Sequence, residues 1–83
     1  MTRGEDVIVL IDYDLFDLNV KDCRGIYLKT DNSGKHLVYF PINQEWGEFE
    51  PSSVSRPNPD FVPDENKSFV DRVEEMKMTY FES

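Results

Sequence analysis

The sequence predicts a small, mainly β domain of about five strands that is followed by one C-terminal α-helix. The chain has 83 residues, which is enough for one domain. Apolar runs and alternating segments of strand length occupy its first two thirds, whereas its C-terminal segment has apolar residues at helical spacing. Hydrophobic residues are 39% of the chain and aromatic residues 13%, so we expect a thin core that depends on aromatic side chains.

The strands are predicted within residues 4–56, which we expect to form one small barrel. Residues 7–11 are an uninterrupted apolar run, mostly β-branched, and predict a strand that is buried on both faces or that crosses a small barrel. Residues 12–22 are polar with interspersed apolar residues and predict a long, partly packed loop. The later predicted elements are a strand at 24–30, a turn at 31–34, a strand at 35–40, a strand at 46–50, one helical turn at 51–54 and a last strand at 54–56.

The C-terminal part is predicted to be a stiff connector followed by a helix. The connector, residues 57–63, contains three prolines and should be extended. The helix belongs to residues 64–83, with Ser68 as its N-cap and Asp71 completing a capping box. One face of this helix carries Phe69, Val73, Met76 and Tyr80. A helix this short is marginal by itself, so we expect it to pack on the barrel or on a partner.

Charge limits the classes of function. The chain has 17 acidic and 9 basic residues, a net charge of −8, and residues 43–83 carry 10 acids and 4 bases, or −6 of that total. Such a chain is not expected to bind nucleic acid directly, because it cannot neutralise several phosphates. No apolar run is long enough for a membrane span, and no secretion signal is expected. A single cysteine is typical of a reducing compartment, so we expect a cytoplasmic protein.

The sequence does not predict an enzyme or a cofactor. His36 is the only histidine, and its place on an alternating strand indicates a partly exposed structural residue. Cys23 lies between Asp22 and Arg24, and we interpret it as a structural or incidental thiol. Acids at 12, 14 and 17 resemble the start of a calcium loop, but the glycine and glutamate that such a loop needs are missing. We therefore expect no metal site.

The acidic residues are the candidate partner-binding groups. Asp12 and Asp14, like Glu48 and Glu50, are two residues apart and, on a strand, point the same way about 6.6 Å apart. This spacing approximates every second phosphate of a DNA strand, since phosphates rise by about 3.4 Å each. The alternative is that these acids form a solvated surface whose only effect is to keep a small domain soluble. The predicted partner-binding residues are Asp12, Asp14, Asp17, Glu45, Trp46, Glu48, Glu50, Asp71, Glu74 and Glu75.

The aromatic residues support a second hypothesis. Together they outnumber what a small barrel core can hide, so some could anchor a partner. The chain is then an accessory subunit of a larger complex that docks through its aromatic side chains. The aromatic residues concerned are Trp46, Phe49, Phe61, Tyr80 and Phe81.

Three segments resemble Src-homology-3-like barrels. They are residues 7–14, residues 25–28 and residues 46–54, the last with an aromatic residue, a proline and a valine in the order that closes such barrels. The likeness covers residues 4–56 and implies a five-stranded barrel. Trp46 lies only five residues before Pro51 and no second tryptophan is present, so the layout is more similar to the accessory variable chain of ferredoxin–thioredoxin reductase than to peptide-binding members.

The combined expectation is a non-enzymatic binding protein. It should inhibit or regulate a partner protein by covering a basic surface of that partner, such as a nucleic-acid-binding surface. Its size and charge are typical of viral inhibitors that mimic DNA. The accessory-subunit hypothesis stays open, and salt sensitivity separates the two, because only binding through charge weakens steeply as ionic strength rises.

Overall fold

A computed structural model of the chain describes residues 1–81, with side chains described for residues 1–78. The elements in chain order are β1 (Asp6–Val9), β2 (Asp14–Leu15), β3 (Leu18–Asn19), β4 (Arg24–Thr30), β5 (His36–Phe40), β6 (Glu45–Phe49), a 3₁₀ turn (Pro51–Ser53), β7 (Val54–Ser55) and α1 (Phe69–Phe81). The predicted mainly β class with one C-terminal helix is confirmed.

The strands form one five-stranded antiparallel sheet in the order β6-β5-β4-β1-β7, with β2 and β3 as a separate hairpin. Within the described residues β6 and β7 are the two edges of this sheet, and no pairing joins them into a closed barrel. The Src-homology-3-like likeness therefore stays a prediction. The hairpin of β4 and β5 has a β-bulge between Tyr27 and Lys29.

The main core lies on one face of the sheet. Its centre is an edge-to-face pair, Phe40 and Phe49, whose ring centroids are 5.7 Å apart. Gly25 lets the strands approach here, since a Cβ at that position would lie 2.4 Å from Cγ1 of Val38. The hairpin of β2 and β3 covers this face, since Leu15 belongs to the buried cluster and Leu18 packs against it. The buried hydrophobic residues of this cluster are Val7, Val9, Leu15, Val20, Tyr27, Val38, Phe40, Phe49 and Val54.

The helix α1 covers the opposite face of the sheet. Strand pairing places Asp6, Ile26, Tyr39 and Trp46 in one row across that face. Arg72 reaches one end of the row with an ion pair of 2.7 Å to Asp6 and also donates a hydrogen bond to the Gly4 carbonyl. At the other end Phe69 stacks on Trp46 with ring centroids 5.8 Å apart. Ile26 is buried as a result, and so is Met76 of the helix.

The start of α1 follows the predicted capping box. The backbone N–H of Asp71 donates to Oγ of Ser68 at 3.2 Å, and the backbone N–H of Ser68 donates to Oδ2 of Asp71 at 2.9 Å. Two otherwise unpaired donors of the first turn are thereby satisfied. The predicted apolar face is partly described, since Phe69 and Val73 are half-buried and Met76 is buried. Tyr80 and Phe81 lie outside the described side chains.

One predicted strand end and one predicted loop were wrong. The strand predicted at residues 7–11 ends at Val9, and Leu10 and Ile11 are exposed. The last bond on this side joins the backbone N–H of Leu10 to the Ser53 carbonyl, which belongs to the 3₁₀ turn that precedes β7. The region 12–22, predicted as a loop, contains the β2–β3 hairpin.

Candidate functional site

The β2–β3 hairpin is the first part of the candidate site, and the Asn19 side chain holds its base together. Oδ1 of Asn19 accepts hydrogen bonds from the backbone N–H groups of Tyr13 and Lys21, and Nδ2 donates to Oδ1 of Asp12 at 3.1 Å. The ring of Tyr13 contacts the ring of Phe49 with centroids 4.9 Å apart. These contacts fold the hairpin onto the face of the sheet that carries the main core.

At the tip of this hairpin, a residue with an unfavourable backbone conformation exposes an aromatic side chain. Leu15 pairs with Leu18, so Phe16 and Asp17 form a two-residue turn. Phe16 has φ of 60°, in the left-handed region where hairpin turns favour glycine, and its side chain is 74% exposed. The turn therefore combines a costly backbone conformation with an aromatic ring that is exposed to solvent.

The turn between β5 and β6 lies against the hairpin. Nδ2 of Asn43 donates to the Leu15 carbonyl at 3.3 Å, which joins the two segments. Gln44 in the same turn has φ of 57°. Between the β2–β3 turn and the β5–β6 turn is an open groove of about 410 Å³, which we call the turn groove. Its lining residues are Leu15, Phe16, Asp17, Leu18, Ile42, Asn43 and Glu45.

The fold brings two segments without any basic residue into contact, and their acids extend over both faces of the sheet because Glu45 and Glu48 point to opposite faces. Residues 11–20 and residues 41–55 each contain three acids and no Lys or Arg. The Tyr13–Phe49 ring contact and the Asn43 hydrogen bond join them. We call their carboxylates the acidic surface; they are Asp12, Asp14, Asp17, Glu45, Glu48 and Glu50.

The six carboxylates of the acidic surface differ in their surroundings. Glu45 is half-buried and the other five are exposed. Asp12 accepts the Asn19 hydrogen bond, and Asp17 and Glu45 line the turn groove. Within the part of the chain that the structure describes, no ion pair within 4 Å involves any of the six.

The three predicted site residues on the helix have structural partners. Asp71 belongs to the capping box. Glu75 forms ion pairs with Lys67 and, at 2.6 Å, with Arg72, and the hydrogen bond from Lys67, followed by that from Arg72, lowers the pKa of this carboxyl. Glu74 lies 3.9 Å from Nζ of Lys77. Glu74 and Glu75 are thus paired with neighbouring bases, in contrast to the acidic surface, and Asp71 is held by the capping box.

Trp46 contributes to helix docking. It is 41% exposed, stacks on Phe69 and contacts Tyr39 with ring centroids 4.9 Å apart. Because Trp46 and Glu48 occupy alternate positions of β6, they lie on the face that α1 covers. The other predicted acid of this strand, Glu45, points to the opposite face, toward the turn groove.

The contacts of His36 and Cys23 indicate structural roles for both residues. Nδ1 of His36 lies 2.8 Å from Oγ1 of Thr30, which in turn lies 2.7 Å from the hydroxyl of Tyr27. Burial and, to a lesser degree, the charge of Asp22 raise the pKa of the Cys23 thiol, which disfavours the reactive thiolate. Among the residues that the structure describes, no cluster of three metal-ligating side chains occurs.

Sequence reasoning missed Phe16, Ile42 and Asn43 of the turn groove and an ion pair in the N-terminal region. The carboxylate of Glu5 is fully buried and accepts two hydrogen bonds from the guanidinium of Arg56, at 2.6 and 2.9 Å. The Arg56 hydrogen bond is the largest cause that lowers the pKa of Glu5. A signal for the turn was present, since Leu15 and Leu18 flank two residues as strand ends flank a hairpin turn.

Comparisons with protein-family models, with curated proteins and with solved structures found no match to this chain. The helix that the structure describes is too short and too polar to cross a bilayer.

Proposed function

We propose that this chain is a non-enzymatic binding protein that inhibits or regulates a partner protein by placing its acidic surface on a basic surface of that partner. The single observation that carries this proposal is that two segments without bases, residues 11–20 and 41–55, are in contact in the fold. These segments hold six acids and so −6 of the net charge of −8, which leaves −2 for the rest of the chain.

The distribution of ion pairs supports this assignment. Arg56, Arg72 and Lys67 neutralise acids that hold the N-terminal region and the helix in place. The acidic surface has no such internal partner within the described residues, so its field extends into solvent. A field of one sign raises the rate at which an oppositely charged surface is encountered.

The composition of the site also fits a protein interface. Phe16 and Ile42 are exposed hydrophobic side chains next to the turn groove, and carboxylates lie around them. Interfaces commonly have an apolar centre with aromatic anchors and a polar rim. The spacing of Glu48 and Glu50 favours a basic surface that otherwise holds nucleic acid, since alternate strand positions approximate the separation of every second phosphate.

The test is charge reversal on β6 and at its end. Glu48→Lys with Glu50→Lys should weaken binding at least tenfold at low salt, about 1.4 kcal/mol. Most of the change should be in the association rate, and the difference should shrink near about 0.5 M salt, where screening is strong. The matched control is Asp60→Lys with Glu65→Lys, which makes the same charge change on exposed acids outside the acidic surface.

The measurement has two stages. The wild-type chain captures proteins from an extract of its native host, and mass spectrometry identifies those that are enriched over the uncoupled resin. The purified partner is then measured by surface plasmon resonance across a salt series. An unchanged association rate in a folded β6 variant would refute the acidic-surface mechanism and favour an accessory subunit that docks through aromatic residues.

A further inference from the structure

The turn groove combines apolar and aromatic walls with carboxylates, whereas the acidic surface as a whole is defined by its carboxylates alone. Leu15, Leu18 and Ile42 supply apolar walls, and the exposed ring of Phe16 supplies an aromatic one. Asp17 and Glu45 add two carboxylates, and no basic residue is among the lining side chains. Its volume of about 410 Å³ is within the roughly 300–1,000 Å³ of pockets that hold small ligands.

We infer that the turn groove seats an arginine side chain from the basic partner, an inference that rests on the proposed function. The methylene stem of arginine packs on apolar walls while its head stays polar. Its planar guanidinium stacks on an aromatic ring such as Phe16. The same group donates hydrogen bonds to two acceptors at once, which suits Asp17 and Glu45.

Another residue that lines the groove, Asn43, has an unsatisfied acceptor. Oδ1 of Asn43 is inaccessible to solvent and has no hydrogen-bond partner within the described part of the chain, whereas its Nδ2 donates to the Leu15 carbonyl. A buried acceptor without a partner is costly and rare in folded proteins. A small movement of this amide toward a donor in the groove would satisfy it, and the guanidinium is rich in donors.

Backbone strain occurs on both sides of the groove. Of the three non-glycine residues with positive φ that the structure describes, Phe16 lies in one bordering turn and Gln44 in the other. Strained residues persist where the surrounding structure holds them in place, and they cluster at binding sites. The backbone of both bordering turns is thus in its conformation before a partner arrives, which lowers the cost of ordering on binding.

Arginine is favoured over lysine by the shape of the site. A lysine ammonium is a strongly hydrated point charge, and it gains less from a flat aromatic wall and a pair of carboxylates. A neutral side chain of the same shape as arginine would lose the charge-assisted hydrogen bonds. These differences make the groove selective among cationic residues, which a diffuse acidic surface is not.

The experiment is an NMR titration of the full, isotopically labelled chain with three blocked tripeptides, Gly-Arg-Gly, Gly-Lys-Gly and Gly-citrulline-Gly. The arginine peptide should shift backbone amides of residues 15–18 and 42–45. The lysine and citrulline peptides should bind at least about threefold more weakly, since both lack the charged planar fork. Equal binding of the citrulline peptide, or shifts spread over all exposed acids, would overturn the inference.

Matched variants separate this inference from the proposed function. Asp17→Asn with Glu45→Gln should abolish selectivity for the arginine peptide, whereas Glu48→Gln with Glu50→Gln, also two acids of the acidic surface, should retain it. Phe16→Gly removes the aromatic wall and relieves the backbone strain, and an unchanged amide spectrum outside residues 15–18 shows that loss of binding in this variant is not due to misfolding. If the peptides show no arginine selectivity while charge reversal on β6 still slows partner association, the groove inference fails and the proposed function stands.

Discussion

Replacing Phe16 by glycine should remove a wall of the turn groove without a large loss of stability. An L-residue in the left-handed region costs roughly 1–2 kcal/mol relative to its usual conformations, and glycine does not have this cost. Phe16 is 74% exposed, so the substitution forfeits only about a quarter of the roughly 1.5–3 kcal/mol that full burial contributes. Glycine adds flexibility to the unfolded chain, which costs about 0.5–1 kcal/mol.

These opposing contributions nearly cancel, so the free energy of unfolding of Phe16→Gly should lie within about 1 kcal/mol of the wild-type value. A buried phenylalanine such as Phe49 should instead cost about 3–5 kcal/mol when truncated to alanine. Phe16→Ala is the matched control, because it removes the same ring but retains the strain. It should be about 1 kcal/mol less stable than Phe16→Gly.

Urea unfolding followed by Trp46 fluorescence and far-UV circular dichroism measures these differences. The reasoning on strain is refuted if Phe16→Ala proves as stable as Phe16→Gly. It is also refuted if Phe16→Gly loses more than about 2 kcal/mol, since that loss would mean the ring is a structural anchor of the hairpin. Both variants should show the same loss of arginine-peptide binding, because both lack the aromatic wall.

Two further predictions concern stability. Arg56→Ala should lower the free energy of unfolding, because it leaves the buried Glu5 carboxylate without its guanidinium partner, and urea unfolding measures this loss. Because Arg56 lowers the pKa of Glu5, this stabilisation is present above the ordinary value near 4.5 and is lost as pH falls through the lowered pKa. Melting temperatures below pH 4.5 should thus fall more steeply in wild type than in Arg56→Ala, and equal slopes would contradict this. Deleting residues 64–83 should leave strand-rich circular dichroism with a lower melting temperature, because Ile26 loses its cover; a fully unfolded product would show that the helix is integral to the core.

The features that sequence reasoning predicted correctly depend on neighbouring residues. The Ser68–Asp71 capping box joins residues three apart, so its spacing is visible in the sequence. The turn at 31–34 is similar, since Asp31 accepts hydrogen bonds from Ser33 and Lys35 and Gly34 has φ of 88°. The Ser33 hydroxyl is also the largest cause that lowers the pKa of Asp31.

The features that were missed depend on distant contacts or on strain. Glu5 and Arg56 are 51 residues apart, and nothing in either local sequence indicates that they pair. A phenylalanine gives no signal for a positive φ, because that conformation is normally left to glycine or asparagine. Segments 11–20 and 41–55 were each visibly acidic, but only the folded chain shows that they meet.

Because β6 lies at the edge of the sheet, its carboxylates have a second effect. An edge strand has unpaired backbone N–H and C=O groups that can align with the same strand of another copy and begin a fibre. Glu45 and Glu48 oppose this, because two β6 strands brought side by side would place like charges next to one another. The charge that we propose attracts a basic partner thus also keeps copies of the chain apart, and neutralising it by acid or substitution favours self-association along this edge.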